Sequence, residues 1–331
     1  MKGRVLSGSN NLFQVACEDG TKRLCAIKGK RIRDLSGTWN SLAAGDGVEL
    51  EADPHSSGKG LVSLLLPRRN LFGRFNEKGQ SAQAIAANID LVVCVSSPRL
   101  PPFRPRFIDR VAVLAEAADV PLLVVLNKSD LGFDEDIEDR LAEYQDLGYS
   151  VHVASAGSGE GIAELREFID GDVSVFVGQS GVGKSSLINA IEPGLLRRTG
   201  EVSEKFNRGK HTTTMAVLLP LADGRTWIAD TPGMRRLALR GIDPGTLIAY
   251  FPEMTGLESS CAFGISCTHT HEGGCAVLAA LENGSIHPDR FESYVRIREE
   301  LVSSAAYARA EGRRTKEKRS ANRRSEEWDD E

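Results

Sequence analysis

The chain is predicted to be an α/β protein in three parts: a small N-terminal β-barrel, a central doubly wound parallel sheet, and a mainly helical C-terminal part that holds a metal. Three observations predict it. The first 68 residues hold five short β-forming segments, the next stretch alternates unbroken apolar runs with helix-like segments, and beyond Gly241 the strand signals stop while three of the six cysteines cluster. A length of 331 residues suits two or three domains.

The barrel, residues 1–68, is read from GRVLSG, NLFQVACEDG, TKRLCAIKG, GDGVELEAD and GLVSLLLPR, separated by Gly, Asp and Asn turns. Five strands in so few residues favour a closed barrel such as an OB-fold, and an SH3-like barrel would give a similar pattern. Residues 69–83, within RRNLFGRFNEKGQSAQ, are polar and glycine-containing and read as a linker.

In residues 84–240 the runs IDLVVCVSS, PLLVVLNKSD, YSVHVAS and VSVFVG are apolar throughout, as strands covered on both faces must be. FIDRVAVLAEAA and DEDIEDRLAEYQDLG alternate with them as helices. TMAVLLPLADGRTWIADTPG reads as a hairpin turning at Asp223-Gly224. In residues 241–331 a cysteine cluster precedes RFESYVRIREELVSSAAYARA, where Phe291, Tyr294, Val295, Leu301, Val302 and Ala305 mark one helical face. The polar tail EGRRTKEKRSANRRSEEWDDE is expected to be disordered alone.

A formal charge of −5 gives no global attraction to nucleic acid, so such binding needs local basic patches. Candidate patches lie at Arg68-Arg69, Arg104 to Arg110, Arg197-Arg198 with Lys205 to Lys210, Arg235-Arg236, and Arg313 to Arg324. Together with an OB-like barrel and a metal module they make RNA contact an expectation. Cys17, Cys25 and Cys94 sit among apolar residues and read as buried thiols in a reducing compartment. The N-terminus MKGRVLSGSNN has no apolar core and no run approaches membrane-spanning length, so a soluble, cytoplasmic protein is expected.

GQSGVGKSSLINA, residues 178–190, matches GxxxxGK[ST] between a buried strand and a helix. Glycines let backbone amides curl around a β-phosphate, Lys184 neutralises β and γ oxygens, and the Ser185 hydroxyl is offered to Mg²⁺. Gly178, Gln179, Ser180, Gly181, Val182, Gly183, Lys184, Ser185 and Ser186 are therefore the expected phosphate-binding residues. NKSD, Asn127, Lys128, Ser129 and Asp130, reads guanine, because a carboxylate at Asp130 accepts both N1–H and the exocyclic amine. Ser155 and Ala156, one βα unit later, resemble the element whose amide meets the guanine oxygen.

In DTPG, Asp230 is placed near the magnesium and the Gly233 amide at the γ-phosphate. RRTGEVSEKFNRGKHTTTM, residues 197–215, reads as a loop ordered by γ-phosphate, with Thr213 completing the metal shell. Met234 stands where many GTPases carry a water-orienting Gln, which makes His211 the candidate to orient water or accept a proton. NKSD and Ser155-Ala156 precede the phosphate loop and DTPG, the reverse of the usual order. The order is that of a circularly permuted P-loop GTPase domain, a rearrangement that leaves a sheet intact when the old termini are neighbours.

In CAFGISCTHTHEGGC, Cys261, Cys267, Cys275 and either His269 or His271 make a Cys₃His set suited to a structural Zn²⁺. With the barrel, NKSD, GQSGVGKSS, GKHTTT, DTPG and CTHTHEGGCAV in this order, the chain resembles the circularly permuted, ribosome small-subunit-dependent GTPases of the RsgA (YjeQ) family. The resemblance covers nearly the whole chain. It implies hydrolysis of GTP to GDP stimulated by the small ribosomal subunit, a role in late subunit maturation, an OB-fold contacting rRNA, Mg²⁺ with the nucleotide, and one structural zinc on Cys261, Cys267, His269 and Cys275. It also matches His211 to the family's switch histidine and suggests a monomer free of membranes. CAFGISC is one residue longer than the usual spacing, and Gly273 stands where Pro is common. The alternative is an RNA-binding assembly factor that uses guanine nucleotide only as a structural ligand.

Overall fold

The computed structural model describes residues 1–9, 11–28, 32, 42–53, 56, 59–76, 81–196, 215–231, 237–239 and 242–306. They fall into two compact units, Met1–Ala238 and Leu239–Glu331.

In the first unit β1 (Lys2–Ser9), β2 (Leu12–Cys17), β3 (Lys22–Ile27), β4 (Gly47–Ala52) and β5 (Lys59–Leu65) close a barrel in the order β1-β2-β3-β5-β4. Every pairing is antiparallel except β3 with β5. This five-stranded closure, with β4 reaching back to β1, is the OB arrangement and decides between the two barrels the sequence allowed. Phe13, Val15 and Cys17 alternate inward along β2 and meet Val48 and Leu50 from β4 in the core.

Arg68 does not belong to a basic surface patch. Its guanidinium donates from Nε and Nη2 to the two carboxylate oxygens of Asp46, both at 2.7 Å, and Asp46 also accepts from the Ala43 amide at 2.7 Å. Asp46 is fully buried. Arg69 is likewise engaged, pairing with Asp90 at 2.6 Å.

The described residues of the segment read as a linker are mostly strand. β6 (Leu71–Asn76) and β7 (Ser81–Ala87) pair antiparallel, and a bridge from Ala44 to Ala86 joins β7 to the barrel connection. Phe72 is buried and so is every residue from Ala84 to Ala87, Ile85 included, so both faces of this end of β7 are covered. Alanine has weak strand preference and gives little alternation, so polarity dominated the reading.

The central sheet contains β8 (Leu91–Ser96), β9 (Leu122–Leu126), β10 (Ser150–Val153), β11 (Val173–Gly178), β12 (Val217–Pro220) and β13 (Trp227–Asp230), ordered β10-β9-β8-β11-β13-β12. All neighbours are parallel except the β12–β13 hairpin. α1 (Pro105–Ala117) and α2 (Glu135–Asp146) share a core with Val92 and Cys94 of β8, while α3 (Ile162–Phe168) and α4 (Lys184–Ile191) share another with Val93 and Val95. Alternate residues of one strand thus feed helix layers on opposite faces, which is why the run reads as unbroken apolar sequence. The hairpin turns where expected: the Asp223 carboxylate accepts from the Arg225 and Thr226 amides at 2.9 and 2.8 Å. Barrel and sheet touch where the Arg4 guanidinium lies 5.3 Å from the Trp227 ring centre.

Among its described residues the second unit contains three short 3₁₀ turns, α5 (Ala276–Glu282) and α6, helical over 288–306. The buried stripe of α6 is Arg290, Ser293, Tyr294, Ile297 and Leu301, whereas Val302 is exposed. The expected face is therefore rotated. Arg290, which polarity argued against, is fully enclosed because Glu253 accepts its Nε and Nη2 at 2.7 and 3.0 Å and the Phe251 ring lies 4.8 Å beneath it. No described helix is long and apolar enough to cross a membrane.

Candidate nucleotide site and metal centre

β11 ends at Gly178, the chain turns through 179–183, and α4 begins at Lys184. Gly183 adopts φ +94°, and a Cβ there would lie 2.3 Å from the Asn127 side-chain nitrogen, so glycine is required on both counts. Lys184 is buried and donates to the Gly178 and Gln179 carbonyls at 2.8 and 3.2 Å. Burial lowers its pKa, and Asp230 opposes that shift. Ser185 and Ser186 follow in the first turn of α4, exposed.

Asp230, at the end of β13, pairs in register with Phe176 on β11. Burial raises its pKa and the nearby Lys184 charge pulls it back. Its Oδ1 is buried without a hydrogen-bond partner among the described residues. A buried, unsatisfied carboxylate oxygen beside a phosphate loop suits the hydration shell of a hard cation such as Mg²⁺.

The loop after β9 closes over the same turn. Asn127 donates from Nδ2 to the Val182 carbonyl at 2.9 Å and accepts from the Ala156 amide at 3.1 Å, joining three segments through one buried side chain. Lys128, at φ +68°, donates to the Gly181 carbonyl at 2.7 Å and also to the Leu100 carbonyl. Ser155 is fully buried; its hydroxyl accepts from the Gly157 and Ser158 amides at 3.2 and 3.1 Å and donates to Asp130 Oδ1 at 2.5 Å. The result is a cavity of about 310 Å³ lined by Asn127, Lys128, Asp130, Ala156, Gly183 and Ser186 among others.

Ser155 braces Asp130 from behind, while Ala156 lines the cavity. Ser129 turns aside and donates to Glu160 at 3.1 Å. The Leu100 carbonyl that holds Lys128 carried no sequence signal, since any residue supplies a carbonyl. His211, Thr213, Gly233 and Met234, with the patches at Arg197-Arg198, Lys205 to Lys210, Arg235-Arg236 and Arg313 to Arg324, lie outside the described residues.

In the second unit Cys261, Cys267, His269 and Cys275 are buried, with ligand atoms all within 4.8 Å of one another. His269 Nδ1 lies 3.4 Å from Cys261 Sγ and 3.6 Å from Cys275 Sγ. His271 is exposed, and its Nδ1 meets the Thr270 hydroxyl at 2.8 Å, so of the two imidazoles it is His269 that lies with the three thiols. Glu272 accepts from the Thr268, Thr270 and His271 amides at 2.7, 3.1 and 3.2 Å and so fixes the loop carrying His269. Three thiols and an imidazole converging in a closed, buried set can bind a metal.

Residues 65–240 match the RsgA GTPase family. The chain is 39% identical over 301 residues to the small ribosomal subunit biogenesis GTPase RsgA of Gemmatimonas aurantiaca, across 91% of this chain and 97% of that one.

The chain belongs to the RsgA GTPase family.

A second RsgA protein, from Thermotoga maritima, is 38% identical over 306 residues, covering 91% and 97% of the two chains. Among solved structures, YjeQ from Thermotoga maritima superposes with a TM-score of 0.68 at 36% identity, covering 91% of this chain and 98% of that one. YloQ, described as a circularly permuted GTPase, gives 0.64 at 27% identity, covering 91% and 95%. RsgA family membership makes the chain a GTP hydrolase, and its sheet is the permuted one that the motif order demanded.

Proposed function

We propose that this chain hydrolyses GTP in step with docking on the small ribosomal subunit during late subunit maturation, contacting rRNA, as a cytoplasmic monomer. The observation that carries the reading is the single cavity shared by Asn127, Asp130, Ala156 and Gly183, which brings a base reader and a phosphate cradle to one ligand. The relatives' name, small ribosomal subunit biogenesis GTPase, supports the choice of partner.

Asp130, held by Ser155, accepts two hydrogen bonds from the guanine edge, and Lys128 covers the base. The amides of 179–186 and the Lys184 ammonium take the phosphates; Lys184 leaves its contacts with Gly178 and Gln179 to do so. Ser185, Asp230 and Thr213 would hold Mg²⁺, which supplies neutralisation of the charge that grows on the β–γ bridging region. His211 orients the attacking water and the Gly233 amide holds the γ-phosphate. The ion on Cys261, Cys267, His269 and Cys275 is a structural Zn²⁺, because four protein ligands leave no open position.

Steady-state GTP turnover with and without purified small subunits tests the reading. Stimulation by subunits, with ATP inert, is expected. Phosphate release absent in both conditions would instead make guanine nucleotide a structural ligand.

A further inference from the structure

The loop between the first two metal ligands, Cys261-Ala-Phe-Gly-Ile-Ser-Cys267, sets Phe263 and Ile265 outward, 58% and 106% exposed. The loop is not slack. Gly264 donates to the Cys261 carbonyl, Ser266 to Phe263 and Cys267 to Gly264, at 3.0, 3.1 and 3.1 Å, and both ends are ligands of the metal set. Two apolar side chains are thus held in water by a turn that has already lost its conformational freedom, the arrangement by which binding surfaces lower the cost of association.

Charge says what such a surface can meet. Residues 241–289 contain no Lys or Arg, while Asp243, Glu253, Glu258, Glu272, Glu282 and Asp289 all fall within them. Glu253 is neutralised by Arg290 at 2.7 Å, and Arg298 on α6 is a cation whose charge reaches His269, against Glu258 and Glu272 on the other side. Nucleic-acid surfaces draw affinity from Lys and Arg on phosphate, and single-stranded RNA that stacks on an aromatic still needs a basic groove beside it. The stretch 241–289 that carries the loop supplies no basic side chain of its own for either role. An apolar tip on an acidic ground fits a protein surface with an apolar pocket rimmed by Lys and Arg.

We propose that Phe263 and Ile265 dock the metal module into an apolar pocket on a basic protein component of the small ribosomal subunit, not onto its RNA. The proposal rests on the reading that the chain docks on that subunit, and it removes the loop between Cys261 and Cys267 from the set of RNA-contacting parts.

The test uses the full, metal-loaded chain with a non-hydrolysable GTP analogue and purified small subunits. The double variant Phe263→Ser, Ile265→Ser should keep its bound metal and its subunit-free GTP turnover, yet bind subunits at least about tenfold more weakly, as expected for losing burial of two such side chains. Ile265→Arg should weaken binding more than Ile265→Ser, because a basic rim repels it. A photoreactive benzoylphenylalanine at position 265 should crosslink to a Lys/Arg-rich subunit protein identified by mass spectrometry. Unchanged affinity of the metal-loaded double variant, tighter binding by Ile265→Arg, or a crosslink to rRNA or to the chain's own tail would each overturn the proposal. If the unaltered chain fails to bind subunits, the docking reading itself falls, and that failure is visible before any variant is made.

Discussion

The Asn127 side chain donates to the Val182 carbonyl at 2.9 Å, tying the base-reading loop to a phosphate loop that follows it by 55 residues. The sheet already sets both loops at the ends of β9 and β11, on either side of β8, and this side chain ties one loop to the other. Asn127→Ala would leave the Val182 carbonyl and the Ala156 amide without their partner, at a cost of about 1–3 kcal/mol. GDP affinity should fall roughly tenfold or more, read by calorimetry, while Asn127→Asp, which cannot donate to Val182, should rescue little.

Lys184 is buried, Asp230 half-buried beside it, and each biases the other's protonation. Lys184→Ala should lower GTP turnover on the order of 10²–10³-fold, the usual loss for one preorganised charge at a transition state. A second effect follows from sign. Burial already raises the Asp230 pKa, and deleting the cation that pulls it down raises it further, so the carboxylate needed for Mg²⁺ forms at higher pH. Magnesium titrations of nucleotide binding should show the requirement displaced to higher pH in Lys184→Ala.

The Cys₃His set predicts one tightly held metal per chain, measurable by elemental analysis. His269→Ala should lose the metal and His271→Ala should retain it, since His271 turns away to Thr270. Chelation should unfold Leu239–Glu331 in particular, because binding and folding free energy are linked at such sites. Amide exchange would show protection lost there first.

Arg68 reads as a surface cation, yet its guanidinium reaches in to the fully buried Asp46. Asp46→Ala would remove the buried carboxylate that the Arg68 guanidinium and the Ala43 amide share, destabilising by about 3–5 kcal/mol. Thermal unfolding of Asp46→Ala checks this. Arg68→Met, which fills the space without charge, should be better tolerated than Arg68→Ala.

The elements most legible in the sequence were those whose local chemistry is unambiguous: β8, β9 and β11 as apolar runs, the phosphate loop bounded by strand and helix, the Asp223-Gly224 turn and the clustered thiols. The β6–β7 pair was hidden because β7 is mostly alanine, and the buried face of α6 because Arg290 and Ser293 look polar, Arg290 until Glu253 and Phe251 surround it. Within the site, Asn127, Lys128 and Asp130 were found by motif, but the brace from Ser155 to Asp130 and the Leu100 carbonyl under Lys128 depend on tertiary approach and have no signature in a linear chain.

The central claim is that shuffled segments form one guanine-specific pocket. Calorimetry on the Asp130→Asn variant tests it most directly. An Asn there can still accept from N1–H and can donate to a 2-oxo group, so binding should pass from GDP to xanthosine diphosphate while ADP stays excluded in both proteins. Unaltered preference for GDP in the variant, or no GDP affinity in the natural chain, would contradict the claim.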